Sequence, residues 1–261
     1  MTEFKDLIVL KFGGSSLSSP VRIKKVARLA LRHLEETQHL IIVVSAMGKT
    51  TNQFLDLASE VSPNAHSEEY KRELDMLLTA GERISMSLLS MALADLGAKA
   101  VSFTGSQSGI ITSEKHGEAS IEAIRPIRIE ENLRHGKVCI VAGFQGVNAA
   151  KDVTTLGRGG SDTTAVALGA HFGAKLVYIY TDVDGVYDAD PNTVTAAKQI
   201  KELPAATALE MARNGAKVLH PTCVEWAIKG NTPVRVLSSF FRGDEAPALS
   251  AIQQQGTLIL P

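Results

Sequence analysis

Apolar runs recur along the chain at 7–12, 40–45, 98–103, 137–142, 175–180 and 234–238, and between them apolar positions return every three or four residues. Runs of five or six residues without polar alternation describe strands buried on both faces, and the intervening period describes amphipathic helices. Their regular alternation predicts an α/β protein: a three-layer αβα sandwich with a mainly parallel central sheet. The segment 104–125 breaks the alternation and suits a hairpin. No internal repeat and no low-complexity stretch is visible.

Three predicted helices have readable starts. Ser19 is placed to cap a helix with Pro20 at its first position, and Ile23, Val26, Ala27, Ala30 and Leu34 then form one apolar face. A second helix begins at Ser161 and runs through Ala165, Val166, Ala167, Leu168 and Ala170. A third is expected from Pro221 to Gly230.

The polar residues of interest lie where strands end. Lys11-Phe12-Gly13-Gly14-Ser15-Ser16 follows the first apolar run, so Lys11 stands at the strand's end, the ligand-binding edge of an open α/β sheet. Ile42-Val43-Val44-Ser45-Ala46-Met47-Gly48-Lys49-Thr50-Thr51-Asn52 is a second strand entering a small polar turn. Gly48-Lys49-Thr50 is not a Walker A loop, because that motif needs a glycine where Val43 stands. Gly157-Arg158-Gly159-Gly160-Ser161-Asp162-Thr163-Thr164-Ala165 combines a flexible backbone, a planar guanidinium and a helix N-terminus, a combination suited to an anion. Val177 to Tyr187, followed by Asp190-Pro191, is another strand ending in an acidic loop, and Gly215-Ala216-Lys217-Val218-Leu219-His220-Pro221 leads into the third helix. Taken singly, the acidic residues are explained by turn chemistry.

Taken together, these segments resemble the amino-acid kinase family, most closely the catalytic domain of aspartate kinases. The family's Lys-Phe-Gly-Gly-Thr-Ser motif corresponds to Lys11 to Ser16, with Ser15 keeping the hydroxyl. Val43 to Asn52, Gly81-Glu82-Arg83-Ile84-Ser85, Val141 to Gly146, Thr154 to Ala165, Tyr180 to Pro191 and Gly215 to Pro221 match in the same order, and the likeness extends to Gly256-Thr257-Leu258-Ile259. The resemblance implies transfer of the γ-phosphoryl group of ATP to the side-chain carboxylate of L-aspartate, with Mg2+ bridging the phosphates. Two anions must then meet, so fixed positive groups are required, and no general base is needed because the carboxylate is already ionised.

Residue by residue, the resemblance makes Lys11 and Lys217 the charge-stabilising lysines and Asp162 the carboxylate that orients them. Arg158 would hold the α-carboxylate and Glu82 the amino group of the substrate, with Ser45, Phe144 and Thr155 at pocket positions. Gly13, Gly14, Ser15, Thr181, Asp182, Tyr187, Lys217 and Val218 would face the nucleotide. No protein metal ligand is expected. The family's usual Asp-Pro-Arg reads Asp190-Pro191-Asn192 here, which removes a phosphate-side arginine.

The same resemblance implies one kinase domain over residues 1–261, with an amino-acid lobe at 1–170 and a nucleotide lobe at 171–261. Because the sequence stops at Pro261 soon after its last apolar run, paired regulatory domains and feedback inhibition by end-product amino acids are not expected. A homodimer formed through the kinase domain is expected. Two alternatives stay open at this stage: a related kinase acting on another acid, and a kinase-like subunit without turnover.

Composition alters this picture little. With 261 residues, 44% hydrophobic and 21% charged, the chain has enough apolar material for a large core. A net charge of -1 with scattered lysines provides no face for nucleic acid, and no apolar run approaches a membrane span. Cys139 and Cys223 both fall in apolar patterns, read as buried thiols of a reducing compartment, and the opening residues do not form a secretion signal, so a cytoplasmic location is expected. His220 is expected at a helix entry rather than as a base. Met76, Met86 and Met91 are expected in the core, and Lys24, Lys25, Glu68 and Glu69 on solvated faces. Trp226, on the last predicted helix, suits either burial or a subunit contact.

Overall fold

The computed structural model describes residues 4, 6–189, 193–216, 219–241, 243 and 245–261. In chain order the elements are β1 (Ile8–Phe12), a 3-10 turn (Ser15–Leu17), α1 (Pro20–Leu34), β2 (Leu40–Val44), α2 (Thr50–Val61), α3 (Lys71–Leu78), α4 (Ala80–Asp95) and β3 (Ala100–Phe103). Then follow β4 (Ile110–Thr112), β5 (Ile121–Ile124), α5 (Ile127–Arg134), β6 (Val138–Ala142), β7 (Gln145–Val147), β8 (Val153–Thr155), α6 (Gly160–Phe172) and β9 (Leu176–Thr181). The chain closes with β10 (Val186–Tyr187), β11 (Gln199–Ile200), β12 (Glu202–Pro204), α7 (Ala205–Arg213), α8 (Pro221–Lys229), β13 (Val234–Ser238), α9 (Leu249–Gln253) and β14 (Thr257–Leu260).

Eight strands form the central sheet in the order β12-β14-β13-β9-β1-β2-β6-β3. The six from β13 to β3 are parallel, and β14 joins the edge antiparallel to β13. The reason is in the residues: Ile8, Val9, Leu10, Leu40, Ile41, Ile42, Val43 and Val44 have no polar face to offer water. Alternate residues of each strand face opposite cores. Val9, Ile41 and Val43 pack with Ala165, Leu168, Cys223 and Val224 of α6 and α8, whereas Ile8, Leu10 and Phe12 pack with Ile23, Val26, Leu89 and Leu93 of α1 and α4. That gives the three expected layers. Ser19 caps α1 as read from the sequence, accepting from the Arg22 N–H at 3.3 Å.

The hairpin expected at 104–125 is present as the antiparallel pair β4 and β5. It belongs to a second sheet, β5-β4-β7-β8, that the sequence did not announce because β7 and β8 are only three residues long. Three other expectations are corrected. Met86 is buried, but Met76 and Met91 are 43% and 63% exposed, so they sit on outward helix faces rather than in the core. Lys24, Glu68 and Glu69 are exposed as expected; Lys25 is half-buried and donates to the Gly243 carbonyl at 2.6 Å. Trp226 is partly buried against the core, with Lys229 Nζ 4.8 Å from its ring, and its helix is followed by α9 rather than being the last. Both cysteines are buried. No helix among the described residues is long and apolar enough to cross a membrane. Position 170 falls inside α6, and the sheet runs unbroken past it.

This topology selects one place for a ligand. The chain leaves β1 through α1, on one face of the sheet, to reach its neighbour β2; β9, the neighbour on the other side, is reached through α6 on the opposite face. The crevice beyond the carboxyl end of β1 is therefore a topological switch point, where loops diverge and leave space.

Candidate active site

Lys11 lies at that end of β1. Its Nζ is 2.7 Å from Asp162 Oδ1, with the lysine side chain 9% and the aspartate side chain 20% exposed. Asp162 sits in the first turn of α6, where the helix dipole favours a negative group. The Gly160 and Thr163 amides of that turn are taken by the Gly157 and Gly159 carbonyls. Among the described residues the Ser161 and Asp162 amides have no backbone acceptor, and both residues line the same crevice as the lysine.

The turn after β1 is locked to the turn after β2. The Gly48 N–H donates to the Gly14 carbonyl at 2.9 Å, and the Ser45 N–H to the Phe12 carbonyl at 3.0 Å. Gly14 has no room for a side chain, since a Cβ there would come within 2.9 Å of both the Ala46 and Gly48 carbonyl oxygens. The Gly13 N–H donates to the Tyr180 carbonyl at 3.2 Å, tying the same turn to β9.

Two cavities open from this point. The first, about 350 Å³, is lined by Lys11, Gly14, Ser45, Glu82, Phe144, Arg158 and Asp162 among others. Glu82, in the first turn of α4, is 3% exposed; its Oε1 accepts the Ala46 N–H at 3.1 Å, and its Oε2 has no partner among the described residues. Burial, opposed in part by backbone hydrogen bonds, pushes its carboxyl up to about 7. A buried oxygen without a donor, on a wall of a cavity, is suited to a cation or a donor group from a ligand. Arg158 is exposed and has no partner among the described residues, so its guanidinium is available to an anion. Phe144 holds φ 69, a left-handed conformation costly for an aromatic residue. It is kept there by its N–H on Thr164 Oγ1 at 3.2 Å and by its carbonyl, which accepts the Leu156 N–H at 2.8 Å.

The second cavity, about 470 Å³, is lined by Thr181, Asp182, Val183, Ala212, Gly215 and His220, together with Lys11, Arg158, Gly159 and Asp162. It shares those last four residues with the first. His220 stands at the N-cap of α8, the helix entry read from the sequence.

The expected site residues divide accordingly. Lys11, Asp162 and Arg158 border both cavities; Gly14, Ser45, Glu82 and Phe144 border the first, and Thr181 and Asp182 the second. Gly13, Ser15 and Tyr187 line neither, although Gly13 and Ser15 belong to the turn beneath Lys11 and the Tyr187 hydroxyl donates to Asp184 Oδ1 at 2.8 Å beside the second. Thr155 also lines neither: it is 1% exposed and donates to Asp75 Oδ1 at 2.5 Å. Lys217, Val218 and Asp190 to Asn192 lie outside the described residues. Asp75, which sequence reasoning passed over, is a buried carboxylate on an amphipathic helix; no motif marks it.

Glu82 and Arg158 thus border the first cavity, and Lys11 borders both. Known proteins resemble this chain in sequence and in fold. The family model for the amino acid kinase family matches residues 6–238. An aspartokinase from Corynebacterium efficiens is 53% identical over 235 residues, 90% of this chain and 55% of the relative. The crystal structure of aspartate kinase from Synechocystis superposes with a TM-score of 0.78 at 44% identity, covering 93% of this chain and 40% of that one. That of E. coli aspartokinase III in complex with aspartate and ADP superposes with a TM-score of 0.82 at 28% identity, covering 98% and 64%. The chain spans about half the length of the curated relatives it matches. The match over residues 6–238, joined to this fold and this switch-point crevice, means that the chain belongs to the amino acid kinase family.

Proposed function

We propose that this domain transfers the γ-phosphoryl group of ATP to the side-chain carboxylate of L-aspartate, giving 4-phospho-L-aspartate and ADP. The observation that carries the reading is that two cavities share the Lys11–Asp162 pair as a common wall. An acceptor in the first and a nucleotide in the second would meet at one fixed cation. The relatives named above are aspartate kinases, and one of them is a complex with aspartate and ADP together.

In this reading Arg158 takes the α-carboxylate through a charge-assisted fork and Glu82 takes the amino group, leaving the side-chain carboxylate aimed at Lys11. Ser45 and Phe144 shape the first cavity. Lys11 offsets the repulsion between carboxylate and polyphosphate and follows the charge as it spreads in the transition state. Asp162 orients it without moving a proton. Lys217 serves as the second lysine; Thr181, Asp182, Tyr187 and Val218 serve the nucleotide, and the turn Gly13-Gly14-Ser15 lets phosphate oxygens approach the backbone. Among the described residues no three His, Cys, Asp or Glu side chains converge, a donor set that suits magnesium carried by phosphates and water rather than by a protein cage. When bound, magnesium would neutralise part of the phosphate charge.

Residues up to about 170 form the amino-acid side and 171–261 the nucleotide side in this proposal, self-association is through the kinase domain, and the reaction belongs to the cytoplasm, which suits two buried free thiols. The test is hydroxylamine trapping of the acyl phosphate across L-aspartate, L-glutamate and N-acetylglutamate with magnesium and ATP. Hydroxamate from aspartate is expected. Hydroxamate from another acid alone would shift the substrate, and none from any acid despite ATP binding would remove catalysis from the account.

A further inference from the structure

Asp75, on α3, is 1% exposed and lines neither cavity. A carboxylate at that depth is strongly disfavoured unless donors meet its oxygens. Here they do: Oδ1 accepts the Thr155 hydroxyl at 2.5 Å, Oδ2 lies 2.7 Å from His116 Nδ1, and the Gly117 N–H lies 3.2 Å from both oxygens.

These donors belong to two separate segments. Thr155 ends β8, two residues before Gly157, and His116 and Gly117 lie in the loop between β4 and β5. The segments also join directly, through the Ala119 N–H on the Thr155 carbonyl at 2.8 Å. The 113–120 loop in turn underlies the glycine loop, since a Cβ on Gly157 would come 3.3 Å from the Gly117 carbonyl oxygen. Arg158 follows at once, and no side-chain partner among the described residues fixes its guanidinium. The backbone beneath it must therefore define where the guanidinium starts from. Its far side is held by the Gly160 N–H on the Gly157 carbonyl at 3.1 Å; its near side rests on the network that Asp75 closes.

We propose that Asp75 is a positioning residue for Arg158: its carboxylate clamps the end of β8 to the 113–120 loop and so sets the height and direction of the Gly157-Arg158-Gly159 backbone. The inference rests on the reading that Arg158 holds the substrate's α-carboxylate. It locates part of amino-acid selectivity in a helix that does not touch the substrate. Asp75→Asn keeps the shape but puts an amide NH2 where an oxygen met donors.

Kinetics and amide hydrogen exchange on Asp75→Asn and on Thr155→Val, which removes one donor only, test the proposal. Asp75→Asn should raise KM for L-aspartate about tenfold or more while KM for ATP and kcat change less than about twofold, the signature of a displaced binding group. Thr155→Val should move the same parameter by a smaller factor, and carries the test if Asp75→Asn does not fold. Exchange in 113–120 and 156–160 should rise in both variants while β1 and β2 stay protected. An unchanged KM for aspartate, or a parallel loss in both KM values and kcat, would overturn the proposal. The exchange arm is independent of substrate: if the unmodified protein phosphorylates no aspartate, the functional reading fails alone, whereas unaltered exchange at 156–160 would sink the positioning role whatever the activity.

Discussion

Lys11 Nζ lies 2.7 Å from Asp162 Oδ1, and the pair stands where two cavities share a wall. The lysine comes from the end of a central strand and the aspartate from the first turn of a helix covering the opposite side of the switch point. The lysine side chain is 9% exposed and already paired, so its charge is held in place before any ligand arrives. That is the preorganisation that makes an electrostatic group effective in a transition state.

Replacing the lysine should therefore act on turnover. Lys11→Ala is expected to lower kcat by a factor on the order of a hundred or more, with little change in thermal stability beyond that of an ordinary buried substitution. Lys11→Arg should rescue little, because a planar guanidinium presents its charge and donors in a different geometry from a compact ammonium. Steady-state kinetics on the two variants checks both statements; turnover unchanged in Lys11→Ala would remove the lysine from the chemistry.

Arg158→Ala should raise KM for aspartate by roughly ten- to a hundredfold, the usual cost of a charge-assisted fork, while leaving KM for ATP close to its starting value. Arg158 borders both cavities, so the split between the two constants is the informative quantity. An effect on ATP alone would move the guanidinium to the phosphates.

Glu82 carries a pH signature. Burial raises its carboxyl from 4.5 to about 7, so the folded protein holds a proton across that window that the unfolded chain has lost. Stability should accordingly fall as pH rises through the window and reach its low plateau above about 7. Glu82→Gln removes this penalty and should raise Tm near pH 8, by up to the order of 3 kcal/mol of stability, while leaving it unchanged near pH 4. Binding runs the other way: a protonated Glu82 has no charge for an ammonium group, so kcat/KM for aspartate should decline below about pH 7 in the parent and lose that limb in Glu82→Gln. Differential scanning calorimetry and a pH–rate profile read the two halves.

The central strands were legible because they follow from short-range chemistry, whereas most of the candidate site residues were named through the family resemblance. Runs such as Ile41 to Val44 can only be strands buried on two faces, and the loops after them must gather at one sheet edge. What stayed hidden depended on tertiary packing. The β7 and β8 strands are three residues each, too short to show a period. Met76 and Met91 occupy helix faces that point outward, which an apolar side chain alone does not reveal. Thr155 matched a pocket position yet points into the protein toward Asp75, because the orientation of a residue on so short a strand is set by its neighbours across 80 positions of sequence. Asp75 itself reads as a surface charge until its three donors are seen converging on it.

Gly14→Ala tests the interlocked turns. The added methyl would meet two carbonyl oxygens at 2.9 Å, and both belong to backbone, so the turns after β1 and β2 must separate. A loss of stability on the order of 1–3 kcal/mol is expected together with weaker nucleotide and acceptor binding. Normal Tm and normal kinetics would mean that the close approach of the two turns is not required.

The most direct test of the account follows oxygen atoms. L-aspartate labelled with 18O in its side-chain carboxylate is incubated with the protein, magnesium, ATP and hydroxylamine, and the released inorganic phosphate is weighed by mass spectrometry. Attack of that carboxylate on the γ-phosphorus leaves a labelled oxygen bridging carbon and phosphorus, and hydroxylamine then expels it with the phosphate. Phosphate carrying one 18O, appearing with the hydroxamate, is the predicted result. Unlabelled phosphate alone would mean that water or another acceptor takes the phosphoryl group, and would contradict transfer to the aspartate side chain across the Lys11–Asp162 wall.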